Sequence, residues 1–323
     1  MSLQLKMYLL IFGMFAILYG LFVIGGNLLG VGNILSYLIL ALLILVIQYL
    51  TSPFLISSMM RIKWVSEEEA PELHQMVKEL SREAKIPKPK IGIAHISIPN
   101  AFAFGRSLSD GRVCITEGIK NLLTKEELKA VLGHEISHLK NKDMVVMTLL
   151  SVIPLAMYWI AWRFLWGGFL DDRRERGLSI LIGILAMIIY FLTNLLVLAG
   201  SRIREYYADE GSVKLGNPPR YLASALYKLV YSSAKMRGLP HCQNELRKIQ
   251  ALRGFFLNDI NRSEEEIQEL REVDKDLSGD IDEKELAILR RKKIKLSREE
   301  KIMEIFTTHP NTLKRIKRLA TLA

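Results

Sequence analysis

Apolar and polar positions along the 323 residues separate into long blocks. Residues 7–26 carry no charged side chain. At about 1.5 Å rise per residue such a helix reaches roughly 30 Å, the thickness of a bilayer's hydrocarbon core. A second uncharged stretch, 33–60, follows at once, and a further apolar pair occupies 144–167 and 178–199. The pattern predicts four membrane-spanning helices in two hairpins. A signal peptide is the rival reading of the first block, but the run exceeds an ordinary signal-peptide core and a second apolar stretch follows it directly. Pro154 and Arg163 in the third block leave the alternative of two helices buried in a soluble core.

The polar blocks have their own periods. Glu67 to Lys85 has helical spacing, Lys90 to His95 and Arg112 to Thr116 are short strand candidates, and Lys125 to Lys142 is a second helix. Thr124 followed by Glu127 supplies that helix with a capping box. Residues 200–323 read as mostly helical, with breaks at Gly216 to Pro219 and near Pro240.

Charge orients the blocks. Lys and Arg number 44 against 34 Asp and Glu, and no basic motif interleaved with aromatics accompanies the excess, so nucleic acid is not expected as a partner. Arg61 and Lys63 follow the second span, whereas Asn27 to Gly32 before it is uncharged. In Gly168 to Gly177 three acids, Asp171, Asp172 and Glu175, offset Arg173, Arg174 and Arg176. Basic residues favour the cytoplasmic side. Both short loops are therefore expected outside, with the N-terminus and the long polar segments in the cytoplasm against anionic lipid. Two cysteines, Cys114 and Cys242, are too few for a disulfide framework or a thiolate zinc site.

The residues that carry chemistry are His134, Glu135 and His138, in GHEISH within the helix begun by Thr124. Positions four apart share a helix face, so two imidazoles can bind one zinc ion while the adjacent glutamate acts as general base. A hydrolytic zinc site needs a third protein ligand and leaves its fourth position to water. Glu205, in SRIREYYADE just past the fourth apolar block, is the best candidate. Asp209, one turn later, suits a place behind a ligand histidine, accepting from its outer nitrogen. Zinc would polarise the scissile carbonyl and acidify its bound water, and Glu135 would carry the proton to the leaving amine. His138 lies five residues before Asp143, where the third block begins. The metal is thus expected within roughly 10–15 Å of the membrane boundary.

HExxH followed by ExxxD after two apolar spans resembles the HtpX-type membrane metalloproteases, relatives of the eukaryotic CAAX prenyl endoprotease. PNAFAFG from Pro99 resembles that family's substrate-edge segment, and THPNTLKRIKRL at 308–319 its C-terminal signature. The resemblance implies a polytopic α-helical membrane protein, four spanning helices carrying a mainly helical α+β protease domain of zincin type. It implies that Asn100 holds substrate backbone, that His309 stabilises the oxyanion and that Arg315 orders that region. It also implies membrane-protein substrates, misfolded or damaged, in quality control at a prokaryotic plasma membrane.

Residues 274–285, DKDLSGDIDEKE, follow the order of an EF-hand calcium loop, with Asp274, Asp276, Ser278, Asp280, Asp282 and Glu285 at the ligating positions and Gly279 at the turn. The family resemblance does not lead one to expect this element, so it reads as an insertion. The expected organisation is a transmembrane hairpin at 1–60, the first protease half at 61–143, a second hairpin at 144–200, the second half at 201–262, the insertion at 263–296 and the C-terminal protease part at 297–323. Two alternatives remain: a prenyl-peptide endoprotease, against which four spans speak, and a calcium-responsive scaffold, against which Glu135 speaks.

Overall fold

The computed structural model describes residues 46–47, 49–51, 53–167, 176–237, 263–270, 273–274, 276, 278–291 and 298–323. The first expected span, most of the second, residues 168–175 of the expected outside loop, and Cys242 lie outside the described residues. The chain forms two compact units, one of Met1–Thr51 with Val145–Ile203, the other of Ser52–Met144 with Arg204–Ala323.

In the second unit the elements begin β1 (Ile62–Trp64), α1 (Pro71–Ala84), β2 (Lys90–Ala94), β3 (Ala101–Phe104), β4 (Arg112–Thr116), α2 (Glu117–Leu122) and α3 (Lys125–Lys140). The two expected strands are β2 and β4. They pair in parallel, Lys90 opposite Arg112, and the sheet order is β1-β2-β4-β3 with both outer strands antiparallel to their neighbours. Successive side chains alternate between the faces. Ala101, Ala103, Val113 and Ile115 join one core with α1 and α3, while Phe102, Phe104 and Cys114 pack with Ile56 and Met60 on the other face. In α3, Val131, Leu132 and Ile136 are fully enclosed, each worth about 1.5–3 kcal/mol by burial. The expected capping box at Thr124 and Glu127 is present in both directions, about 1 kcal/mol toward fixing where this helix starts.

Helix α4 (Asp143–Gly167) starts after a turn at Lys142, whose φ is 56°. Helix α5 (Arg176–Lys214) runs 39 residues, about 58 Å. Among the described residues one helix, Gly177–Lys214, is long and apolar enough to cross a membrane. Within the first unit α4 and α5 lie antiparallel: Leu150 and Ile153 cluster with Leu196 and Val197, and the Tyr158 and Tyr190 rings are 5.7 Å apart. A Cβ on Gly183 would meet Leu165 at 2.7 Å, so that helix pair closes tightly.

The remaining elements belong to the second unit: α6 (Pro219–Arg237), α7 (Ser263–Leu270), α8 (Glu283–Arg291), α9 (Arg298–Ile305) and α10 (Thr312–Ala320). The expected break at 216–219 separates α5 from α6.

Candidate active site

Small residues set the distance between α3 and the end of α5. A Cβ on Gly133 would stand 2.8 Å from Ser212 Oγ, and one on Gly211 would stand 2.3 Å from Ser137 Oγ. Ser212 Oγ donates to the Ala130 carbonyl at 2.6 Å, and Asn217 Nδ2 donates to the Ser212 carbonyl at 3.1 Å. This close crossing brings Glu205 against the two motif histidines.

His134 Nε2 and His138 Nε2 are 3.0 Å apart. Glu205 Oε2 is 3.5 Å from the first and Oε1 is 3.5 Å from the second. Zinc bonds of 2.0–2.1 Å at tetrahedral angles would put donor pairs about 3.3 Å apart. The three residues therefore form a pre-shaped donor set for that ion, with the ligating atoms within 4.8 Å of one another. Among the described residues both ring nitrogens of buried His309 lack a hydrogen-bond partner, and its Nδ1 has only the Glu205 carboxylate as a charge partner. Orphaned polar atoms enclosed together are costly unless a ligand answers them. The donor chemistry fits zinc.

Each ligand is held from behind. Asp209 Oδ1 lies 2.9 Å from His134 Nδ1, the place expected for it. Asp143 Oδ2 lies 2.6 Å from His138 Nδ1, a partner that motif reading missed. Its signal was an acidic residue at the foot of an apolar helix, where a charge persists only if paired. Arg204 Nη1 stands 3.7 Å from the same carboxylate. Arg315 is 1% exposed. It donates from Nε and Nη2 to the two Asp209 oxygens at 2.9 and 2.7 Å, and its Nη1 is 3.1 Å from Glu205 Oε2. His309 Nδ1 is 3.4 Å from the same oxygen. Asparagine 100, expected on the substrate side, is enclosed just ahead of β3, and its backbone N–H donates to Thr116 Oγ1.

The electrostatics follow from this packing. Burial pushes the Glu135 carboxyl up, which leaves it a stronger base than an exposed glutamate; the Ala103 N–H of edge strand β3 donates to it. Burial alone would also raise Glu205, yet His309 and Arg315 hold it well below the usual carboxylate range. That glutamate lies past the uncharged stretch 178–199 and stays anionic, the state in which a carboxylate can hold a metal.

Asp143→Asn should therefore leave the fold intact and weaken zinc binding about 10- to 100-fold, because His138 loses the acceptor that fixes its tautomer. Competition with a chromogenic chelator measures this directly, and unchanged affinity would remove Asp143 from the site.

In the acidic loop the structure brings together the carboxylates of Asp274, Asp276 and Glu285, with Gly279 at φ 83°. Backbone N–H groups of Ser278 and Gly279 donate to Asp274, and that of Asp282 to Glu285. The Asp280 carboxylate is not among them; it pairs with Lys228 and lies 3.1 Å from Ser224 Oγ. Its backbone carbonyl is what remains for a loop cation.

The family model described as peptidase family M48 matches residues 67–323. A protein described as a protease HtpX homolog from Methanothermobacter thermautotrophicus is 52% identical over 229 residues, 71% of this chain and 86% of the relative. Homologs under the same description from Pyrococcus abyssi and Moorella thermoacetica are 42% and 40% identical, covering 62% and 65% of this chain and 70% of each relative. Among solved structures, S. mikatae Ste24p aligns with a TM-score of 0.51 at 15% identity, covering 98% of this chain and 64% of that one. At that identity the likeness concerns the fold.

Proposed function

The chain belongs to peptidase family M48 and is a metalloprotease, and from that premise we propose that it is a zinc-dependent endopeptidase working on membrane proteins, misfolded or damaged ones, at the membrane surface. The observation that carries the zinc reading is the convergence of His134, His138 and Glu205 beside a buried Glu135.

Zinc held by His134, His138 and Glu205 would supply a Lewis acid for the scissile carbonyl and for the attacking water. Glu135 accepts the proton of that water at its carboxylate and returns it to the nitrogen of the leaving amine. Strand β3 is one of the two edge strands of the sheet, and extended substrate backbone added along it would lie next to Glu135. Asn100 acts through the placement of that edge. His309 donates to the oxygen on which charge develops. Asp209 and Asp143 hold the two ligand rings, and Arg315 holds Asp209 and Glu205.

The substrate class rests on α5. Its uncharged stretch 178–199 and the ligand Glu205 share one unbroken helix, so the ligand lies six residues, about 9 Å, beyond that stretch. The reading is of a multi-pass protein with four spans in a prokaryotic plasma membrane, its catalytic part facing the cytoplasm. Detergent-purified protein is expected to cut an unfolded membrane protein, to lose this activity in a chelator and to regain it with zinc. Cleavage confined to a prenylated peptide would point instead to CAAX-type processing, and zinc-independent cleavage would remove the metal from the mechanism.

We extend the proposal to calcium in loop 274–285, which the carboxylate cluster and the left-handed Gly279 support. Calorimetry should detect binding in the parent and lose it in Glu285→Gln; equal heats in both would refute the site.

A further inference from the structure

The last turn of α9 and the two residues after it are inside out. A helix on a protein surface ordinarily turns its apolar stripe inward and its charges to water. Here Ile302, Met303, Ile305 and Phe306 are 43–57% exposed, whereas Glu304 and Thr307 between and beside them are buried. The inward residues fix that orientation. Glu304 pairs with Lys314 and accepts from the Asn311 N–H at 3.3 Å. The Thr307 hydroxyl is 2.8 Å from the His309 carbonyl. The turn that precedes the active-site histidine and the cap of α10 are therefore what hold the apolar side outward.

This face is concentrated. Apart from 33–60 and the two apolar helices α4 and α5, the large apolar side chains exposed among the described residues are Trp64, Ile288, Leu322 and these four. Just ahead of it the sequence reads RRKKIKLSR at 290–298, six basic residues with no acid among them, and Arg290 and Arg291 are exposed on α8. An apolar face that follows a basic run in the sequence suits an anionic bilayer surface, with its side chains in the acyl boundary and cations such as Arg290 and Arg291 among the headgroups.

We propose that α9 is a membrane-surface anchor, its Ile302, Met303, Ile305 and Phe306 face seated in the anionic leaflet and its hydrogen-bonded turn holding His309 beside that surface. This rests on the reading of the chain as a membrane protease and adds to it the element that presents the catalytic part to the lipid.

The test uses the full chain with Cys242→Ser; Cys114 is buried and stays. A nitroxide is placed at Met303→Cys, or at Glu83→Cys as an exposed polar control, and the protein is reconstituted in vesicles of phosphatidylcholine with and without phosphatidylglycerol. At 303 oxygen should relax the label more than a water-soluble nickel complex does, the more so with phosphatidylglycerol, and at 83 the order should reverse. Replacing Lys292, Lys293 and Lys295 by Gln should abolish the effect of phosphatidylglycerol. A label at 303 that behaves like the one at 83 in both lipids overturns the proposal, as does one shielded only after an unfolded polypeptide is added, which would make the face a protein-binding one. In the Ile302→Ser, Met303→Ser variant cleavage of a bilayer-embedded substrate should fall about tenfold while that of a soluble unfolded polypeptide is unchanged, a difference of about 1.4 kcal/mol. Lipid burial of the label in a chain that cleaves nothing would uphold the anchor and sink the protease reading.

Discussion

Glu135→Gln should fold, bind zinc as the parent does and lose roughly 10²–10⁴-fold in hydrolysis, the usual contribution of a positioned general base. Residue 135 is 4% exposed, on the same turns of α3 as both histidine ligands, and its neighbours include two imidazoles and the Glu205 carboxylate. An amide fills the same volume and still accepts the Ala103 N–H, so the packing that fixes α3 is undisturbed. What the amide lacks is a lone pair basic enough to take a proton. Because Glu135 does not belong to the donor set of His134, His138 and Glu205, metal content by atomic absorption should not change. Activity surviving in a zinc-loaded Glu135→Gln protein would assign the base elsewhere. Joint loss of zinc and activity would make Glu135 a structural part of the metal site.

The parts legible beforehand are those fixed by local rules. HExxH works through helix periodicity alone, and the capping box that starts α3 needs only Thr124 and Glu127, so the positions of His134, Glu135 and His138 could be read directly. Glu205 was legible because a single helix carries it past an apolar stretch. The missing parts depend on contacts far apart in sequence. Strand β3 is four residues long and exists as a strand because Cys114 and its neighbours pair with it; β1 is three residues with the same dependence on β2. The Gly133, Ser137, Gly211 and Ser212 crossing looks like ordinary small-residue usage until the two helices are seen to touch. Arg315 was expected near substrate, yet a guanidinium on a strongly amphipathic helix gives no sign of which carboxylates it will meet. Only the fold delivers it to Asp209 and Glu205, 106 residues away from the former.

That delivery makes Arg315→Met the substitution with the largest expected cost to stability. In the parent, burial raises the cost of every charge in the group, and the planar fork answers both Asp209 oxygens and one oxygen of Glu205 at once. Methionine fills much of the space but leaves Asp209 with His134, and Glu205 with the histidines and Arg204, as the remaining counter-charges. Breaking a buried pair on one side costs about 3–5 kcal/mol, which for a domain of this size lowers a thermal midpoint by on the order of 10 °C. Arg318→Met is the matched control. That residue is a turn away, one-third exposed and 3.4 Å from Glu210, and an exposed pair of this kind is worth at most about 1 kcal/mol. Arg315→Lys should behave nearly as badly as methionine, since one ammonium cannot satisfy three oxygens in a fork. Adding Asp209→Asn to Arg315→Met should recover part of the loss, because one of the two stranded charges is removed, and that non-additivity is the signature of a shared network. Melting curves of the metal-free proteins decide it: a midpoint for Arg315→Met equal to that of Arg318→Met would mean that the buried carboxylates are neutralised by something other than this guanidinium.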